Sequence, residues 1–481
     1  MLSEIAYTHN HLPGDAPEHA CGIFGLWAPG RSVALDTYYA LVTLQHRGQE
    51  SAGIVVANGK KMGMKRGMGL VNDVFSAEDL LDLQGYAAIG HVRYSTTGTS
   101  SFLNTRPLLI RYKQGELAIA HNGNIVNSEL LRKQLEQTGS IFQSTIDCEV
   151  FAHLIACSKA NILEEALAEA ARKVLGGYAI IFLQQDKLVA LRDPNGIRPL
   201  MLGLLDGKYM VASESCVFDT LGGSFLREIG PGEMVVISEH GLQSYQVVPP
   251  SRFALCAFEY IYFARPDSDI EGLNTHAMRK QLGQELAKES YCDADIVCGV
   301  PDSSISAAIG YAEEANLPFE MALVKNRYMG RTFIKPTQEQ REISVKLKLN
   351  PVRKLVAGKR VLLVDDSIVR GTTMSYIISL LREVGAGEIH VRITSPPYRY
   401  PCYFGIDTSA RGDLIASSRT IDEIRQEIGA DSLHYLHLET LSRVVAAHGL
   451  QVCMACFNRD YPVSIDDCSI SAAIKEDGSG A

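Results

Sequence analysis

Val361-Leu-Leu-Val-Asp-Asp-Ser-Ile-Val-Arg-Gly-Thr-Thr373 carries the strongest fold signal in this chain of 481 residues. Its four leading apolar residues predict a buried strand, and the carboxylates of Asp365 and Asp366 stand at the end of that strand. A turn of small residues then leads into a predicted helix. Backbone N–H groups at such a helix start, together with the hydroxyls of Thr372 and Thr373, form a site that suits a phosphate group.

Single strands alternate with helices on both sides of this segment. The strand DIVCGV precedes a helix from Ser303, the strand MALVK follows, the helix after RVLLVDD runs through Leu381, and the strand EIHVRIT comes next. Such alternation predicts βαβ units and a parallel sheet. In sheets of that kind ligands bind beyond the carboxyl ends of the strands, where this chain has the loops PDSS and DDSIVRGTT.

The acidic pair of Asp365 and Asp366 has two explanations when it is considered by itself. Adjacent carboxylates suit ribose hydroxyls or a magnesium ion, because both need hard oxygen ligands. An Asp after a strand also commonly caps the next helix. The full string, however, resembles the phosphoribosyl pyrophosphate signature of type I phosphoribosyltransferases, and the resemblance implies that the pair holds the ribose and Mg2+. The loop residues that it assigns to the 5′-phosphate are Ser367, Arg370, Gly371, Thr372 and Thr373.

Two more segments of this half share the resemblance. The loop Val300-Pro-Asp-Ser-Ser304 begins another predicted helix, and the resemblance implies that its N–H groups bind pyrophosphate and that Ser303 is a further metal ligand. The basic run from Lys325 to Ile334 resembles the family's mobile lid, whose closure would exclude water from the departing pyrophosphate. The cations assigned to it are Lys325, Arg327 and Arg331. Taken alone, the run is a charged loop for which solvated surface is the simpler explanation.

The first half of the chain has a different order of predicted strands and helices. From Cys21 to about residue 245 the apolar runs are short and typical of strands, as in CGIFGLW, SAGIVVA and EMVVIS. Helical patterns interrupt them at residues 34–46, 126–138 and 147–175. Blocks of strands separated by helices predict an α+β layered domain. The Pro pair in VVPPSRF, residues 247–253, predicts a linker between the two halves.

Cys21 is the candidate nucleophile of the first half. It opens the strand CGIFG and follows 20 residues that are typical of a removable leader. Once the leader is removed, the α-amino group of Cys21 can accept the proton of its own thiol, because the reference pKa of such a group is about 7.7 to 8.0. A lone cysteine at the start of a strand is more often only a packing residue.

Two polar clusters accompany Cys21. Gly90-His-Val-Arg-Tyr-Ser-Thr96 and Ala120-His-Asn-Gly-Asn124 each follow an apolar strand. With them, the segment from Cys21 through Ser213-Glu-Ser215 resembles the glutamine-hydrolysing domain of class II, N-terminal-nucleophile amidotransferases. The resemblance implies the four-layer αββα fold of that family.

The same resemblance assigns roles around the nucleophile. Asn122 and the N–H of Gly123 would form the oxyanion hole, while Arg93 and Asp147 would bracket the α-carboxylate and α-amino groups of glutamine. A charged partner at each end of glutamine would fix its amide over the thiolate. Individually, an Asn-Gly turn and a helix N-cap explain Asn122 and Asp147 as well. The combination favours catalysis.

Four cysteines of the second half form a candidate metal site. Cys453 and Cys456 make a CxxC in VCMACF, whereas Cys256 and Cys402 lie far upstream. A CxxC alone can be redox-active, zinc-binding or without function. The two single cysteines favour a tetrathiolate site, which suits Zn2+ or an iron–sulfur cluster. The remaining cysteines are assigned to packing, namely Cys148, Cys157, Cys216, Cys292 and Cys298, and to the tail, namely Cys468.

The two motif sets together resemble the amidotransferases that use phosphoribosyl pyrophosphate as the acceptor of ammonia. The resemblance implies that glutamine, water and phosphoribosyl pyrophosphate give 5-phosphoribosylamine, pyrophosphate and glutamate, the first committed step of purine synthesis. One subgroup of that family has both a short leader and four such cysteines, which ligate a 4Fe–4S cluster, and this chain has both features. An ammonia channel, feedback inhibition by purine nucleotides and a homotetramer are further implications.

Composition narrows the other classes of function. The net charge of −9 argues against a broad nucleic-acid surface, and no apolar run reaches the roughly 18 residues of a membrane span. The first 20 residues lack the basic and apolar regions of a secretory signal, so a cytoplasmic location is expected. The expected division is a leader at 1–20, a glutaminase domain at 21–250, a transferase domain with the four cysteines at 251–468 and a flexible tail at 469–481.

Two rival functions remain at this point. Another class II amidotransferase, such as one making glucosamine 6-phosphate or asparagine, would share the first half but lack VLLVDDSIVRGTT. A non-catalytic sensor of phosphoribosyl pyrophosphate would keep the acidic pair but would not need Cys21, Arg93, Asn122 and Asp147 together.

Overall fold

The computed structural model of the protein describes residues 21–94, 101–326, 349–406, 408 and 411–465. The expected leader, Arg327 and Arg331 of the expected lid, Cys468 and the expected tail lie outside the described residues. Two layered units, one before and one after residue 247, contain the regular structure of the described part.

The first unit contains thirteen strands among the described residues, namely β1 (Gly22–Trp27), β2 (Ser51–Ala57), β3 (Met62–Met68), β4 (Ala87–Arg93), β5 (Leu108–Tyr112), β6 (Gly115–Ile125), β7 (Gly176–Leu183), β8 (Lys187–Arg192), β9 (Met201–Leu205), β10 (Lys208–Ala212), β11 (Ser224–Glu228), β12 (Glu233–Ser238) and β13 (Gly241–Gln246). They form two antiparallel sheets, with the strand orders β11-β9-β10-β1-β4-β2-β3 and β13-β12-β8-β7-β6-β5. The helices are α1 (Ala34–Thr43), α2 (Val71–Val74), α3 (Ala77–Asp82), α4 (Ser128–Gln137), α5 (Glu149–Cys157), α6 (Leu163–Ala171) and α7 (Cys216–Thr220), with 3₁₀ turns at Gln45–Arg47 and Phe102–Asn104.

Alternating side chains stack these elements into four layers. Along β1, Ile23 packs between the two sheets, whereas Phe24 packs on the side of α1. Along β7, Ile181 faces the first sheet, whereas Phe182 packs on the side of α5 and α6. Both faces of these strands are buried because each sheet carries a second sheet on one face and helices on the other. The predicted αββα architecture is confirmed.

The helix predicted over residues 147–175 was wrong in its length. The chain forms two helices there, α5 and α6, and Ser158 between them has an extended backbone with ψ 144°. The Ser158 hydroxyl accepts the N–H of Ala160 at 3.0 Å and donates to Glu169 at 2.7 Å. Such local hydrogen bonds compete with helix continuation.

The described strands of the second unit are β14 (Leu255–Cys256), β15 (Asp269–Ile270), β16 (Leu273–Asn274), β17 (Ile296–Gly299), β18 (Leu323–Lys325), β19 (Leu349–Pro351), β20 (Arg360–Asp365), β21 (Glu388–Ile393), β22 (Ser432–Tyr435) and β23 (Val452–Cys453). Four of them form a parallel sheet of the order β17-β20-β21-β22, and the others form three small pairs. The helices are α8 (Thr275–Glu289), α9 (Ile305–Ala315), α10 (Arg353–Val356), α11 (Thr372–Glu383), α12 (Ile421–Ile428), α13 (Leu438–Ala447) and α14 (Ala455–Asn458), with a π-helical turn at Glu259–Phe263 and 3₁₀ turns at Arg411–Asp413 and Ile415–Ser417.

The predicted parallel sheet is confirmed, but one strand assigned to it was wrong. MALVK forms β18, which pairs antiparallel with β19 in a separate small sheet. The edge of the parallel sheet is reached earlier, where Phe319 makes a parallel bridge to Val297 of β17. Among the described residues, no helix combines the length and the apolar character needed to cross a bilayer.

Candidate active sites

Cys21 lies immediately before β1, the middle strand of the first sheet, and is 3% exposed. Its Sγ lies 3.6 Å from the carbonyl oxygen of Tyr94, and its own carbonyl accepts a hydrogen bond from Arg47 Nε at 3.0 Å. Because β1 pairs with β4 at Gly22 and Val92, the thiol stands beside the end of β4. This end of the sheet carries Arg93.

Arg93 is buried and forms an ion pair with Glu50. Burial lowers the pKa of Arg93 from its ordinary value, while the charge of Glu50 opposes that effect. The sequence did not predict Glu50 as the partner of Arg93, because Glu50 lies in a turn before β2 and belongs to no motif. Arg93 therefore places a guanidinium group, whose charge is balanced by Glu50, near the Cys21 thiol.

Asn122 on β6 has a fully buried side-chain amide. Within the part of the chain that the structure describes, neither Nδ2 nor Oδ1 of this amide has a hydrogen-bond partner. An unpaired buried amide costs about 1–3 kcal/mol, so such a group in a folded core points to a ligand. The next residue, Gly123, has φ +130°, and a Cβ there would lie 2.0 Å from the carbonyl oxygen of Gly177. Only glycine fits this backbone.

Asp147 lies just before α5 and is 2% exposed. Its Oδ1 accepts a hydrogen bond from Arg106 Nη2 at 2.9 Å, and its Oδ2 accepts the N–H of Ile125 at 2.9 Å. Burial alone would raise the pKa of Asp147, but His121 and Arg106 outweigh burial and hold this pKa below its ordinary value. The carboxylate is therefore ionised and already held by protein donors.

Arg106 connects these groups and was missed from the sequence. It is fully buried, and both Asp147 and the Cys21 thiol interact with its charge. Cys148, which was assigned to packing, is buried with donor atoms of His121 and Asp147 within 4.8 Å of its sulfur. The packing assignment of Cys157 was wrong, since this residue at the end of α5 is exposed.

The second site forms where β17 and β20 end side by side. Ser303 Oγ donates to Asp366 Oδ2 at 2.6 Å, and Ser304 Oγ donates to Asp365 Oδ1 at 2.8 Å. Ser367 Oγ donates to the other oxygen of Asp366 at 2.7 Å. The structure thus brings the two sequence-predicted loops together. Burial raises the pKa of Asp366, while hydrogen bonds from the hydroxyls of Ser303 and Ser367 partly offset this rise.

The helix α11 begins directly after this acidic pair. Its N-cap, Gly371, has φ +86°, and a Cβ there would lie 2.8 Å from Ile415 Cδ1. Thr372 and Thr373 are the first two helical residues, so their N–H groups stand at the start of the helix. Arg370 flanks the loop with Nη2 3.3 Å from Asp413.

A cleft of about 330 Å³ lies between the two units. His46 and Gln49 line it from the first unit, and Ser303, Arg279 and Lys325 line it from the second. Lys325 Nζ lies 3.2 Å from the carboxylate of Asp302 in the same cleft. The cleft therefore extends from the loop of Asp302 and Ser303 toward the 3₁₀ turn Gln45–Arg47, whose Arg47 donates a hydrogen bond to the Cys21 carbonyl.

A buried network of charges crosses the boundary between the units. Arg47 pairs with Glu214 at 2.7 Å and with Glu259 at 2.9 Å. Arg198 pairs with the same Glu259 at 3.2 Å and donates to the carbonyl of Phe404 at 2.8 Å. Burial opposes the ionisation of Glu214, but His46 and Arg47 prevail and hold its pKa well below the ordinary value. These arginines and glutamates were not predicted from the sequence.

The four expected cysteines come together behind this network. Cys256 and Cys453 are paired residues of β14 and β23, Cys456 lies on α14, and Cys402 Sγ accepts the N–H of Phe404 at 3.4 Å. All four are free thiols, and burial raises the pKa of Cys256 to about 12. Within the described chain, which contains all four, no three of these sulfurs lie within 4.8 Å of one another.

Comparisons with known proteins cover both units. The profile of a family described as "Glutamine amidotransferase domain" matches residues 91–220, and that of one described as "Phosphoribosyl transferase domain" matches residues 270–394. An amidophosphoribosyltransferase of Bacillus subtilis is 49% identical over 461 residues, which is 95% of this chain and 97% of that protein. One of Synechococcus elongatus is 46% identical over 459 residues, with 94% and 93% covered.

A solved structure has the same architecture over nearly its full length. It is that of the glutamine phosphoribosylpyrophosphate amidotransferase from B. subtilis complexed with ADP and GMP, with 49% identity and a TM-score of 0.88 over 94% of this chain and 99% of that one. A second, described as the allosteric regulatory enzyme of purine biosynthesis, has 48% identity and a TM-score of 0.89 over 94% of this chain and 99% of that one.

Proposed function

The chain belongs to the amidophosphoribosyltransferase family, and we propose how its residues carry out the two half-reactions. The enzyme converts phosphoribosyl pyrophosphate, glutamine and water to 5-phosphoribosylamine, pyrophosphate and glutamate, the first step of purine biosynthesis. The proposed division is a leader at 1–20, a glutaminase domain at 21–250, a transferase domain at 251–468 and a tail at 469–481.

In the first half-reaction, the Cys21 thiolate attacks the amide carbon of glutamine. Cleavage before Cys21 frees its α-amino group, which takes the thiol proton and returns it to the departing ammonia. Asn122 Nδ2 and the N–H of Gly123 stabilise the tetrahedral oxyanion, and water then releases glutamate from the thioester. The buried amide of Asn122, which has no partner among the described residues, is the observation that carries this assignment.

Arg93 and Asp147 are proposed to bind the two ends of glutamine. Arg93 has donors that suit a carboxylate and a charge balanced by Glu50. Asp147 is ionised and oriented by Arg106, so its negative charge suits the α-ammonium group. Arg106 neutralises part of the charge in this pocket and keeps Asp147 in place.

In the second half-reaction, ammonia attacks C1 of the ribose and pyrophosphate leaves. Asp365 and Asp366 would hold the ribose hydroxyls, and the 5′-phosphate would lie on the loop of Ser367, Arg370, Gly371, Thr372 and Thr373. The positive φ of Gly371 supports this role because it turns the chain into the start of α11, where backbone N–H groups favour an anion. Lys325 would neutralise pyrophosphate together with Arg327 and Arg331, which lie outside the described residues.

Mg2+ suits the oxygen donors at the ends of β17 and β20. Asp365, Asp366 and Ser303 would hold it, since two carboxylates and a hydroxyl converge there. When bound, the ion supplies positive charge for the leaving pyrophosphate. The protein itself orients the ribose through the same carboxylates.

A 4Fe–4S cluster is proposed at Cys256, Cys402, Cys453 and Cys456. Zinc at about 2.3 Å from each sulfur would require tetrahedral edges of about 3.8 Å. Sulfurs with no three within 4.8 Å of one another fit a larger group better than a single zinc ion. The cluster would be structural and would pin β14 to β23. Iron and sulfide analysis of anaerobically purified enzyme tests this, and stoichiometric zinc without iron would contradict it.

Regulation and assembly are proposed from the relatives. Purine nucleotides are proposed as feedback inhibitors, since the B. subtilis structure contains ADP and GMP. A homotetramer in the cytoplasm is the proposed assembly and location. The two rival functions are disfavoured, because the second unit matches a phosphoribosyl transferase profile over residues 270–394 and the first matches a glutamine amidotransferase profile over residues 91–220.

Cys21→Ala tests the central assignment. We expect loss of glutamine-dependent synthesis and of glutaminase activity, with ammonia-dependent synthesis retained, because only the first site loses its nucleophile. Loss of both activities would show that Cys21 has a structural role. Mass spectrometry should find the mature chain starting at Cys21, and a fully active enzyme that starts at Met1 would refute the α-amino base.

A further inference from the structure

Three metal-ligating side chains lie together outside both active sites. Glu289 is the last residue of α8, His434 lies on β22, and His437 immediately precedes α13. No substrate group of the reaction described above is assigned to this place, and none of the three residues belongs to the cysteine cluster.

The donor atoms have the spacing of ligands around one small ion. His437 Nδ1 lies 3.4 Å and His434 Nε2 lies 3.7 Å from Glu289 Oε2, and all three atoms lie within 4.8 Å of one another. Zinc bonds of about 2.0–2.2 Å to nitrogen and oxygen give tetrahedral edges of about 3.3–3.6 Å. The observed spacing therefore needs only small side-chain adjustments to accept such an ion.

The carboxylate of Glu289 is held in place by neighbouring donors. Its Oε2 accepts a hydrogen bond from the backbone N–H of His437 at 3.0 Å, and its Oε1 accepts one from the Thr440 hydroxyl. Hydrogen bonds of this kind orient metal-ligating carboxylates in known sites. Glu289 is thus preorganised toward the two imidazoles.

His434 directs a buried ring nitrogen at the carboxylate of Glu289, 3.7 Å away. Its Nε2 is buried and makes no hydrogen bond within the part of the chain that the structure describes. The side chain of His437 is 61% exposed, which leaves a path from solvent.

We propose that Glu289, His434 and His437 bind a divalent cation of the zinc type, with water completing its coordination. Imidazole nitrogen suits zinc, copper and nickel, whereas magnesium and calcium prefer oxygen ligands. The nearby Arg392 opposes a cation, but its guanidinium is held by the Ser290 carbonyl and the Ser432 hydroxyl, and Glu289 supplies compensating charge.

A bound ion would fasten α8 to the segment of β22 and α13. The two helices already meet through Glu285 with Arg443 at 2.6 Å and Gln281 with His448 at 3.0 Å. In the chain, α8 follows the strand that carries Cys256, and α13 precedes the strand that carries Cys453. The ion would therefore join the same two stretches that the cysteines join, at the opposite end of the helix pair.

Zinc stoichiometry of the full-length holoenzyme tests the proposal. The wild type, the double variant His434→Ala with His437→Ala and the control His448→Ala are dialysed against buffered Zn2+ with the cysteine-bound metal in place. We expect the double variant to bind one equivalent fewer than the wild type, and the control to lose none, because His448 touches the same helix pair outside the cluster. Equal stoichiometry in the wild type and the double variant, or an equal loss in the control, would overturn the proposal.

A measurement on the wild type alone guards against a variant that fails to fold. One equivalent of Cu2+ added to the holoenzyme should give an electron paramagnetic resonance spectrum with hyperfine coupling to two imidazole nitrogens. A spectrum without nitrogen coupling would refute the site even if the double variant cannot be purified.

Discussion

Asn122→Leu should separate catalysis from stability in the glutaminase site. The side-chain amide of Asn122 is fully buried and has no hydrogen-bond partner among the described residues, so the substitution removes two polar atoms without breaking a described contact. Leu has the same branched arrangement of heavy atoms as Asn, with two methyl groups in place of the amide oxygen and nitrogen. Whatever the amide contributes must therefore appear in the reaction with glutamine.

The substitution is expected to lower the rate with glutamine without lowering the free energy of unfolding. Removal of one oxyanion-hole donor typically lowers kcat by about 10²–10³-fold, so glutamine-dependent synthesis should fall by that factor. An unpaired buried amide costs about 1–3 kcal/mol, so the free energy of unfolding should stay unchanged or rise. Synthesis from ammonia should be unchanged, because the transferase loops are separate from β6.

Steady-state rates with glutamine and with ammonia, combined with urea unfolding, provide the assay. Asn127→Leu is the matched control, since its buried amide donates to the Lys173 carbonyl and accepts the Leu175 N–H, both at 2.9 Å. We expect this control to lose about 1–3 kcal/mol of stability while the folded enzyme keeps its glutaminase rate. An Asn122→Leu enzyme that is destabilised like the control but hydrolyses glutamine normally would refute the reasoning.

Three further perturbations have defined outcomes. Arg47→Met leaves two buried carboxylates with one partner fewer and should lower the free energy of unfolding by about 3–5 kcal/mol in urea titrations, whereas Arg252→Met, which breaks an exposed ion pair, should cost less than about 1 kcal/mol. Gly371→Ala strains a residue at φ +86° and should raise the KM for phosphoribosyl pyrophosphate without changing glutaminase activity, as coupled assays of each half-reaction would show. Burial raises the pKa of Glu228 from 4.5 to about 7, so the wild type should lose stability as pH rises from 4.5 to 7, and Glu228→Gln should remove that slope in unfolding curves measured at each pH.

The parts of the fold that follow local pattern were predictable from the sequence. The strand and turn of residues 361–373 and the parallel sheet around them follow from a run of apolar residues that ends in polar ones. Edge strands such as β3 and β13 were missed, because their half-exposed residues do not form the apolar runs that marked the central strands. The break between α5 and α6 depends on side-chain hydrogen bonds of Ser158, which no apolar periodicity reveals.

The candidate site was predictable only where its residues stand in motifs. Cys21 and the acidic pair lie at strand ends, as predicted. Asn122 was expected to follow a strand but lies within β6, because the pairing of β6 with β7 continues through residues 120–125. Arg106 pairs with Asp147 from a loop, and Glu50 pairs with Arg93 from a turn, over separations of 41 and 43 residues in the chain. Pairings at such separations depend on the folded sheets, so composition and spacing could not identify them.

Strand β6, which carries Asn122 and Gly123, is in direct contact with the loop that follows Cys402. This contact links the proposed cluster to the proposed glutamine chemistry. Asn124 Nδ2 donates to the carbonyl of Tyr403 at 2.9 Å, and a Cβ on Gly405 would lie 2.9 Å from the backbone of Gly123. Both contacts lie within three residues of Cys402. Gly123 has a backbone that only glycine fits, so a shift of the loop that packs against it would move the N–H that is proposed to stabilise the oxyanion. The metal group proposed at Cys402 would therefore also help to fix the geometry of the proposed glutaminase site, although it would touch neither substrate.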